Sequence, residues 1–251
     1  MSNIFFSIII PSLNEEINLP ILLKSIAEQT FKDFEVVVVD SGSTYNTKEK
    51  VAIFKNTLTN FHFIEHKCRN VSVARNYGAS KASGKYLIFL DADVEIEQQF
   101  LYKIKEKIDL YKLDDLTVWN RPKDAGFTGK FILALMNYNM SLFQNIKPAA
   151  NGPCIIIRND LFARVGGFDE SIVFGEDFYL IQKAHQLKAK FAVFTEPYLY
   201  VSARRFEKEG LIFSLYKSIK AIFYQLFFGP IRKPLFKYEM GGQYYDDKNT
   251  K

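Results

Sequence analysis

The first half of the chain alternates between short apolar runs and segments whose apolar residues have helical spacing. The segments NEEINLPILLKSIAEQ, TKEKVAIFKN and SVARNYGASKA have the spacing of helices, and we expect Ser72 to cap the third. Near-continuous apolar strands that alternate with helices predict a parallel sheet covered by helices on both faces. Four apolar or β-branched runs are predicted as strands: FFSIIIPS (5–12), FEVVVVDSGS (34–43), FHFIEH (61–66) and KYLIFLDAD (85–93).

The second half continues the α/β pattern less regularly. EQQFLYKIKEKIDLY is predicted as a helix, LTVWNRP as a strand, and residues 127–147 as a long, mostly apolar helix with a narrow polar stripe at Asn137, Ser141 and Gln144. NGPCIII then predicts a strand, followed by a helical turn, a Gly-Gly loop and a helix that begins near Glu176. KFAVFTEPYLYVSARR supplies further strand material.

The domain organisation follows from the absence of any linker-like or repeated sequence. No Pro/Ser/Gly-rich tract or internal repeat divides the chain. We therefore predict an α/β domain over residues 1–205, with a mostly parallel central sheet and helices on both faces. Residues 206–251 are predicted to form a peripheral, amphipathic helical arm.

Composition and charge place the basic character of the protein in this arm. The 251 residues are 48% hydrophobic and 24% charged, with a formal net charge of +5. Residues 201–251 contain ten Lys/Arg and five Asp/Glu, which accounts for the whole excess, and the first 200 residues are neutral. Two cysteines make no disulfide framework. MSNIFFSIII has no basic region and no cleavage site, so we interpret it as a first strand and expect a cytoplasmic protein.

Acidic and amide side chains follow three of the predicted strands. Asn14 and Glu15 follow the first, Asp40 ends the second, and Asp91 and Asp93 end the fourth. Ligands of parallel α/β sheets bind at the carboxyl ends of the strands, where these side chains collect. One such acid alone is ordinary as a turn former, which remains the alternative for Asp40. Together they predict a binding site.

The motif chemistry favours a phosphate site built on a cation. The chain has neither the G-x-G-x-x-G of dinucleotide folds nor a Walker loop after its first strand, where PSLNEE stands instead. Mg²⁺ commonly binds through one or two carboxylates plus substrate phosphates. Asp91 and Asp93, spaced i, i+2 at a strand end, fit that role because both carboxylates then point the same way. The alternative is a simple strand-end turn.

Four blocks together resemble the family-two, GT-A-fold glycosyltransferases, which transfer sugars from nucleotide diphosphate donors. The blocks are SIIIPSLNEE, FEVVVVDSGST, VARNYGASKASGKYLIFLDAD and VGGFDE…GEDFYL, in order between about residues 6 and 205. The resemblance implies that Asp93, with Asp91, binds Mn²⁺ or Mg²⁺ between the donor phosphates, and that Asn76 and Gly78 shape the turn at Arg75. It implies donor-nucleotide contacts from Pro11, Leu13, Asn14, Glu15, Asp40, Arg75, Asp91 and Asp93.

The resemblance also implies the catalytic residue. Asp177, in FGEDFYL, would be the general base that deprotonates an acceptor hydroxyl, and the reaction would invert the anomeric centre. The alternative is that Glu176 and Asp177 only complement the dipole at a helix start.

Two further segments are candidates for contacts to the leaving group or the acceptor. Arg204 and Arg205 suit a diphosphate by their forked geometry, with a solvated basic surface as the alternative. Asn151 and Gly152 are candidates for an acceptor loop, with a simple turn as the alternative.

The C-terminal segment LIFSLYKSIKAIFYQLFFG (211–229) is unusually apolar for a surface helix. Lys217 and Lys220 disfavour a transmembrane span, and basic residues follow the segment. Aromatic, apolar and basic residues together favour a helix lying on an anionic membrane surface, here the inner face of the plasma membrane. The alternative is packing against the body or another copy of the chain. Nucleic acid is disfavoured because the arm is more apolar than basic.

The sequence therefore predicts a metal-dependent, inverting hexosyltransferase of polysaccharide biosynthesis. It would use a nucleotide-sugar donor, with UDP favoured over GDP, and a glycan or lipid-linked acceptor. A nucleotidyltransferase of similar fold is one alternative, although it would require a glycine-rich basic loop after the first strand. The other is a catalytically silent binding module at the membrane, in which Asp93 and Asp177 would be dispensable.

Overall fold

The computed structural model describes residues 4–44, 46–68, 70–123, 125–202 and 209–235. Eight strands form one sheet: β1 Phe6–Ser12, β2 Phe34–Asp40, β3 Phe61–Glu65, β4 Tyr86–Leu90, β5 Val94–Ile96, β6 Asp115–Lys123, β7 Cys154–Arg158 and β8 Phe191–Ser202. The α-helices are α1 Asn18–Ala27, α2 Thr47–Val51, α3 Val71–Lys81, α4 Phe100–Tyr111, α5 Phe127–Phe143, α6 Asn159–Arg164, α7 Glu176–Gln186 and α8 Leu211–Phe228. A 3₁₀ turn at Ala52–Asn56 follows α2.

The first half of the sheet is parallel, as predicted. The strands lie in the order β3-β2-β1-β4-β7-β6-β8-β5, and the first four are parallel neighbours. Side chains of β1 alternate between two cores: Ile8 and Ile10 pack with α1 and α4, whereas Ile9 packs with α6 and α7. Because successive strand residues point to opposite faces, this alternation requires helices on both sides of the sheet. The prediction of a central sheet with helices on both faces is therefore confirmed.

The second half of the sheet is mixed. β7 runs antiparallel to both β4 and β6, β6 and β8 are parallel, and β5 is antiparallel to β8. Four of the seven neighbouring pairs are parallel. The sequence analysis missed β5, which has only three residues and is held by its pairing with the segment Leu199–Val201 of β8.

Helix α3 corrects two local predictions. Its N-cap is Asn70, whose Oδ1 accepts from the backbone N–H groups of Ser72 (2.8 Å) and Val73 (3.4 Å), so the predicted cap at Ser72 is wrong. Asn70 has the extended backbone that a cap requires, whereas Ser72 is already helical. Gly78 is likewise in the helix and not in a turn. A Cβ there would lie 2.5 Å from Ile9 Cγ2, so glycine permits the close approach of α3 to β1.

The polar stripe of α5 faces the sheet. Asn137 exchanges two hydrogen bonds with the backbone of Asn120 in β6, at 3.0 and 2.9 Å. Ser141 Oγ accepts from Trp119 Nε1 at 2.8 Å, and Gln144 Oε1 accepts from a backbone N–H of β8 at 2.9 Å. These side chains fix α5 to the sheet by satisfying buried polar groups.

The C-terminal helix α8 packs against α5. Beyond it, the carbonyl of Ile231 accepts from the N–H of Val173 at 2.9 Å, and Arg232 forms an ion pair with Asp169. Within the described ranges, no helix is long and apolar enough to cross a membrane. Both cysteines are free thiols.

A buried acid begins β6. Asp115 is fully buried, and neither of its carboxylate oxygens has a hydrogen-bond partner within the described part of the chain. Burial, reinforced by the neighbouring Asp114, raises the pKa of Asp115 from an ordinary 3.8 to about 7. The folded protein therefore keeps a proton on this group that the unfolded chain releases at lower pH.

This arrangement predicts a loss of stability with rising pH. As pH rises from about 4 to about 7, the unfolded chain binds fewer protons than the folded protein, so the free energy of unfolding falls by up to about 4 kcal/mol. Asp115→Asn removes the ionisation. We expect urea unfolding to show the variant more stable than wild type at about pH 8, with most of that advantage lost at about pH 5. An equal difference at both pH values would contradict the prediction.

Candidate active site

The order of the strands in the sheet brings together the segments that follow β1, β2 and β4, which carry predicted site residues. β1 lies between β2 and β4, and Ser12 at the end of β1 is in register with Asp40 at the end of β2. The segments after β1, β2 and β4 therefore leave neighbouring strands at one edge, as expected for a parallel α/β sheet. Pro11 is itself in β1, paired with Val39, and Leu13 is half-buried in the segment that follows.

Asn14 joins the first two of these loops. Its backbone N–H donates to Ser43 Oγ (2.8 Å), and its Oδ1 accepts from the backbone N–H of Thr44 (2.9 Å). Asn14 adopts a φ of 56°, a left-handed conformation that asparagine tolerates better than most residues. Glu15 is buried and accepts from Asn18 Nδ2 at 2.8 Å.

Asp40 holds the turn that follows β2. Its Oδ1 accepts from Ser43 Oγ at 2.5 Å, and its Oδ2 accepts from the N–H groups of Gly42 (3.2 Å) and Ser43 (2.9 Å). The side chain is buried. The turn-forming role is therefore present. The contact to a nucleotide base stays a prediction.

Arg75 lies at the centre of the site. Its Nη1 donates to Glu176 Oε1 (2.9 Å), and its Nη2 donates to Asp91 Oδ1 (2.9 Å) and to the carbonyl of Gly152 (3.2 Å). Only 2% of its side chain is exposed. The resemblance implied a nucleotide contact for Arg75. That contact stays a prediction. The structure shows a buried cation that bridges α3, the Asp91 turn, the loop before β7 and the start of α7.

The electrostatics of Arg75 follow from this enclosure. Burial lowers the pKa of the guanidinium, but the negative charges of Asp91, Glu176 and Asp177 outweigh that effect, so its pKa lies above the ordinary value. The guanidinium carbon lies 5.2 Å from the centre of the Phe168 ring, a cation–π distance. The arginine therefore remains charged and compensates the surrounding carboxylates.

Asp177 differs from its neighbour Glu176 in its partners. Glu176 is ion-paired to Arg75, whereas the Asp177 Oδ1 accepts only from the adjacent N–H of Phe178 (2.8 Å) among the hydrogen bonds of the described residues. Burial and the charge of Glu176 raise the pKa of Asp177 to about 7, although Arg75 opposes the shift. Protein surrounds this carboxylate, yet part of its surface stays open to solvent, so it can exchange protons.

Gly152 lies where the Asp91 turn and the Glu176–Asp177 pair come close together. A methyl group on this glycine would lie 3.4 Å from Arg75 Nη2, 3.5 Å from Asp177 Oδ2 and 3.7 Å from Asp91 Oδ2. The neighbouring Asn151 is buried, and its Nδ2 has no hydrogen-bond partner in the ranges that the structure covers. The loop thus places Gly152 beside the carboxylates of two motifs that lie far apart in the chain, and the amide donor of Asn151 adjoins it in sequence.

The acids that were predicted to bind a metal lie in the turn between β4 and β5. The Oδ1 of Asp91 accepts a hydrogen bond from Arg75, and its Oδ2 lies near Gly152. Asp93, two residues later, is half-buried. No cluster of three or more His, Cys, Asp or Glu side chains suited to a metal occurs in the described ranges. Two carboxylates fit a hard cation that arrives with the oxygens of a diphosphate. Arg204 and Arg205 lie outside the described residues.

A supporting loop was not recognised from the sequence. Asn76 pairs with the backbone of Phe168, accepting from its N–H and donating to its carbonyl, both at 2.9 Å. Asn70 Nδ2 donates to the carbonyl of Glu170 at 2.8 Å. These amides tie α3 to the VGGFDE loop. The motif had been noted as a block of similarity, but its partner was not apparent because the two segments are more than 90 residues apart.

Comparisons with known proteins agree with this geometry. The family model of Glycosyl transferase family 2 matches residues 7–164. The chain is 31% identical to glycosyltransferase GlyA of Streptococcus pneumoniae over 200 residues, covering 73% of this chain and 28% of GlyA.

Solved structures show the same fold. The structure of S. aureus TarS 1–349 in complex with UDP-GlcNAc is 26% identical, with a TM-score of 0.64 over 79% of this chain and 58% of that one. The mannosyltransferase PcManGT of Pyrobaculum calidifontis, in complex with GDP-Man and Mn²⁺, has a TM-score of 0.66 at 19% identity, covering 88% of this chain and 65% of that one. The latter likeness is one of fold alone.

The chain spans less than two thirds of the length of each of these three proteins. The GT-A-like fold expected from the sequence is confirmed. The family model covers more than half of the chain, in the part that contains Arg75, the Asp91 turn and Gly152. The chain belongs to glycosyl transferase family 2.

Proposed function

We propose that this protein is an inverting, metal-dependent glycosyltransferase that uses a nucleotide diphosphate sugar, with UDP as the favoured nucleotide. The observation that carries the proposal is the convergence of Asp91, Asp177 and Arg75 around Gly152. Asp91 belongs to the turn expected to hold a diphosphate, and Asp177 supplies a carboxylate that can accept a proton. Their proximity gives a donor and an acceptor hydroxyl a common place to react.

Asp177 is the proposed general base. Its neighbour Glu176 is ion-paired with Arg75, whereas Asp177 has no ion pair within the described chain. A pKa near 7 suits proton abstraction at neutral pH. Asp177 would take the proton of the acceptor hydroxyl as that oxygen bonds to the anomeric carbon. The bond to the diphosphate breaks, and the diphosphate leaves with the electron pair.

Asp91 and Asp93 are the residues that would hold a divalent cation. Such a cation, when bound, would neutralise charge that builds on the leaving diphosphate. Arg75 orients Asp91 through its 2.9 Å bond. Because both terminal nitrogens of Arg75 are hydrogen-bonded, we assign this residue to positioning of these acids. A nucleotide contact through its Nε, which has no partner among the described residues, stays a prediction.

The donor and acceptor are assigned by class. TarS, at 26% identity, binds UDP-GlcNAc, which supports a UDP-sugar carrying a hexose for this chain. Asn151, with its buried, unpartnered amide, is the proposed donor of a hydrogen bond to a sugar or acceptor oxygen. The acceptor is proposed to be a hydroxyl of a glycan or of a lipid-linked saccharide. Arg204 and Arg205 remain candidates for contacts to the diphosphate.

The donor assignment predicts nucleotide binding that depends on metal. We expect calorimetry to show UDP binding in the presence of Mn²⁺ and at least about tenfold weaker binding without it. Asp93→Ala should abolish the effect of Mn²⁺ because it removes a carboxylate ligand. Asp109→Ala, which removes an exposed acid of α4 that pairs with Lys105, is the matched control and should bind as wild type does. The absence of binding by both UDP and GDP would support a silent binding module instead.

The base assignment predicts different effects for the two adjacent acids. Asp177→Asn should lower kcat for UDP release from UDP-sugars, with water as acceptor, by about 10²- to 10⁴-fold while UDP still binds. Its melting temperature should not fall, because the change removes a carboxylate that is costly to ionise. Glu176→Gln should lower the melting temperature, because it leaves Arg75 without one of its two ion pairs. Wild-type kcat in Asp177→Asn would exclude this residue as the base.

A further inference from the structure

Helix α8 exposes a continuous apolar stripe. Ile212, Tyr216, Ile219, Phe223 and Phe227 are 55–86% exposed and follow one another at spacings of three or four residues. Such spacing places all five on one side of the helix. The stripe runs from Ile212 to Phe227, which is about 22 Å of the 18-residue helix.

Helix α5, which packs against α8, exposes a second stripe with the same periodicity. Phe127, Phe131, Leu135, Tyr138 and Leu142 are 43–76% exposed. The described residues include 22 exposed large apolar side chains, of which six lie on α5 and seven on α8. Isolated exposed apolar side chains are ordinary on protein surfaces. Two adjacent helices that hold thirteen of them are a sign of an interaction surface.

The polarity of both helices is reversed relative to a helix that faces water. On α5, Asn137, Ser141 and Gln144 turn inward to bond the sheet. On α8, Ser214 is buried and Lys217 is largely covered and paired with Glu209. A surface helix normally buries its apolar face and exposes its polar one. On α5 the polar side chains fasten the helix to the sheet, and on both helices large apolar side chains are exposed.

The charge around the stripes indicates the partner. Neither α5 nor α8 contains an acidic residue. Exposed basic side chains accompany them at Lys130, Lys147, Lys220, Arg232 and Lys233. A second copy of the chain would bring these like charges together, whereas an anionic bilayer complements them. Aromatic and aliphatic side chains rimmed by basic ones are typical of interfacial helices that lie in the plane of a membrane.

We propose that α5 and α8 together form a docking surface for an anionic lipid bilayer. The sequence analysis predicted such a role for α8 alone; the structure adds α5, which carries a second stripe of five exposed apolar side chains. Residues that insert are those of the two stripes, and the basic side chains contact lipid headgroups. The protein lies on the bilayer and does not cross it.

The surface is also connected to the candidate active site. Ile231, three residues after α8, bonds to Val173, and a Cβ on Gly175 would lie 2.5 Å from Gln225 of α8. Gly175 directly precedes the Glu176–Asp177 pair at the start of α7. Docking would therefore hold Asp177 near the bilayer, where a lipid-linked acceptor is available. This consequence, unlike docking itself, rests on the proposed function.

Vesicle cosedimentation of the full chain tests the proposal without any nucleotide. We expect binding to phosphatidylcholine vesicles that contain about one quarter phosphatidylglycerol, and much weaker binding to phosphatidylcholine alone. Ile219→Ser with Phe223→Ser should weaken binding by about tenfold or more, and so should Tyr138→Ser with Leu142→Ser. These four side chains are exposed, so the fold should be retained, as circular dichroism would confirm.

A matched control separates docking from general surface hydrophobicity. Ile53→Ser with Leu110→Ser removes two side chains that are 66% and 73% exposed but lie away from the stripes, and it should leave vesicle binding unchanged. Equal loss in the control, or no binding of wild type to anionic vesicles, would overturn the proposal. So would a dimer, detected by light scattering, that the stripe variants dissociate while vesicle binding stays absent. If vesicles bind but UDP does not, docking stands and the proposed function fails.

Discussion

The buried guanidinium of Arg75 is the interaction on which the candidate site depends. It joins segments separated by 16, 77 and 101 residues in the chain: Asp91, Gly152 and Glu176. A charge buried to this degree is stable only when it is paired and hydrogen-bonded. Asp91 and Glu176 supply that pairing, and in return the cation lies between both carboxylates close to Asp177. The site is thus a cluster in which each charge depends on the others.

The position of Arg75 is set by how α3 packs. Gly78 lets the helix approach β1 closely enough to place the arginine between the sheet edge and α7. Asn70 and Asn76 then fasten the helix to the loop before α7 by side-chain bonds to its backbone. A helix held on two sides in this way fixes the arginine, and through it the distance between the turn proposed to bind the diphosphate and the proposed base. The catalytic geometry therefore originates in packing residues that touch no substrate.

The parallel half of the fold could be predicted because its strands are apolar on both faces, and that pattern is local. The antiparallel course of β7 and the three-residue β5 could not be predicted, since both depend on partners far along the chain. The acids were correctly expected at one sheet edge. The bridging contacts of Arg75 could not be predicted, because the sequence shows its charge but not its burial.

The apolar surface of α5 illustrates the same limit. The apolar composition of α5 is evident from the sequence, but a mostly apolar helix is ordinarily expected to lie in the core. Only the structure shows that Asn137 and Ser141 face the sheet while Phe127 and Leu142 face outward. Which side of a helix is buried is decided by its tertiary partners, and these lie in β6 and β8.

The central claim is that Arg75 acts through Asp91 and Glu176, and a thermodynamic cycle measured by urea unfolding tests it most directly. Arg75→Met alone should lower the free energy of unfolding by about 3–5 kcal/mol, because two carboxylates lose their buried partner. Adding Asp91→Asn and Glu176→Gln should recover much of that loss, since no charge then remains unpaired. Strictly additive losses across the cycle would mean that the three charges do not depend on one another, and would contradict the account.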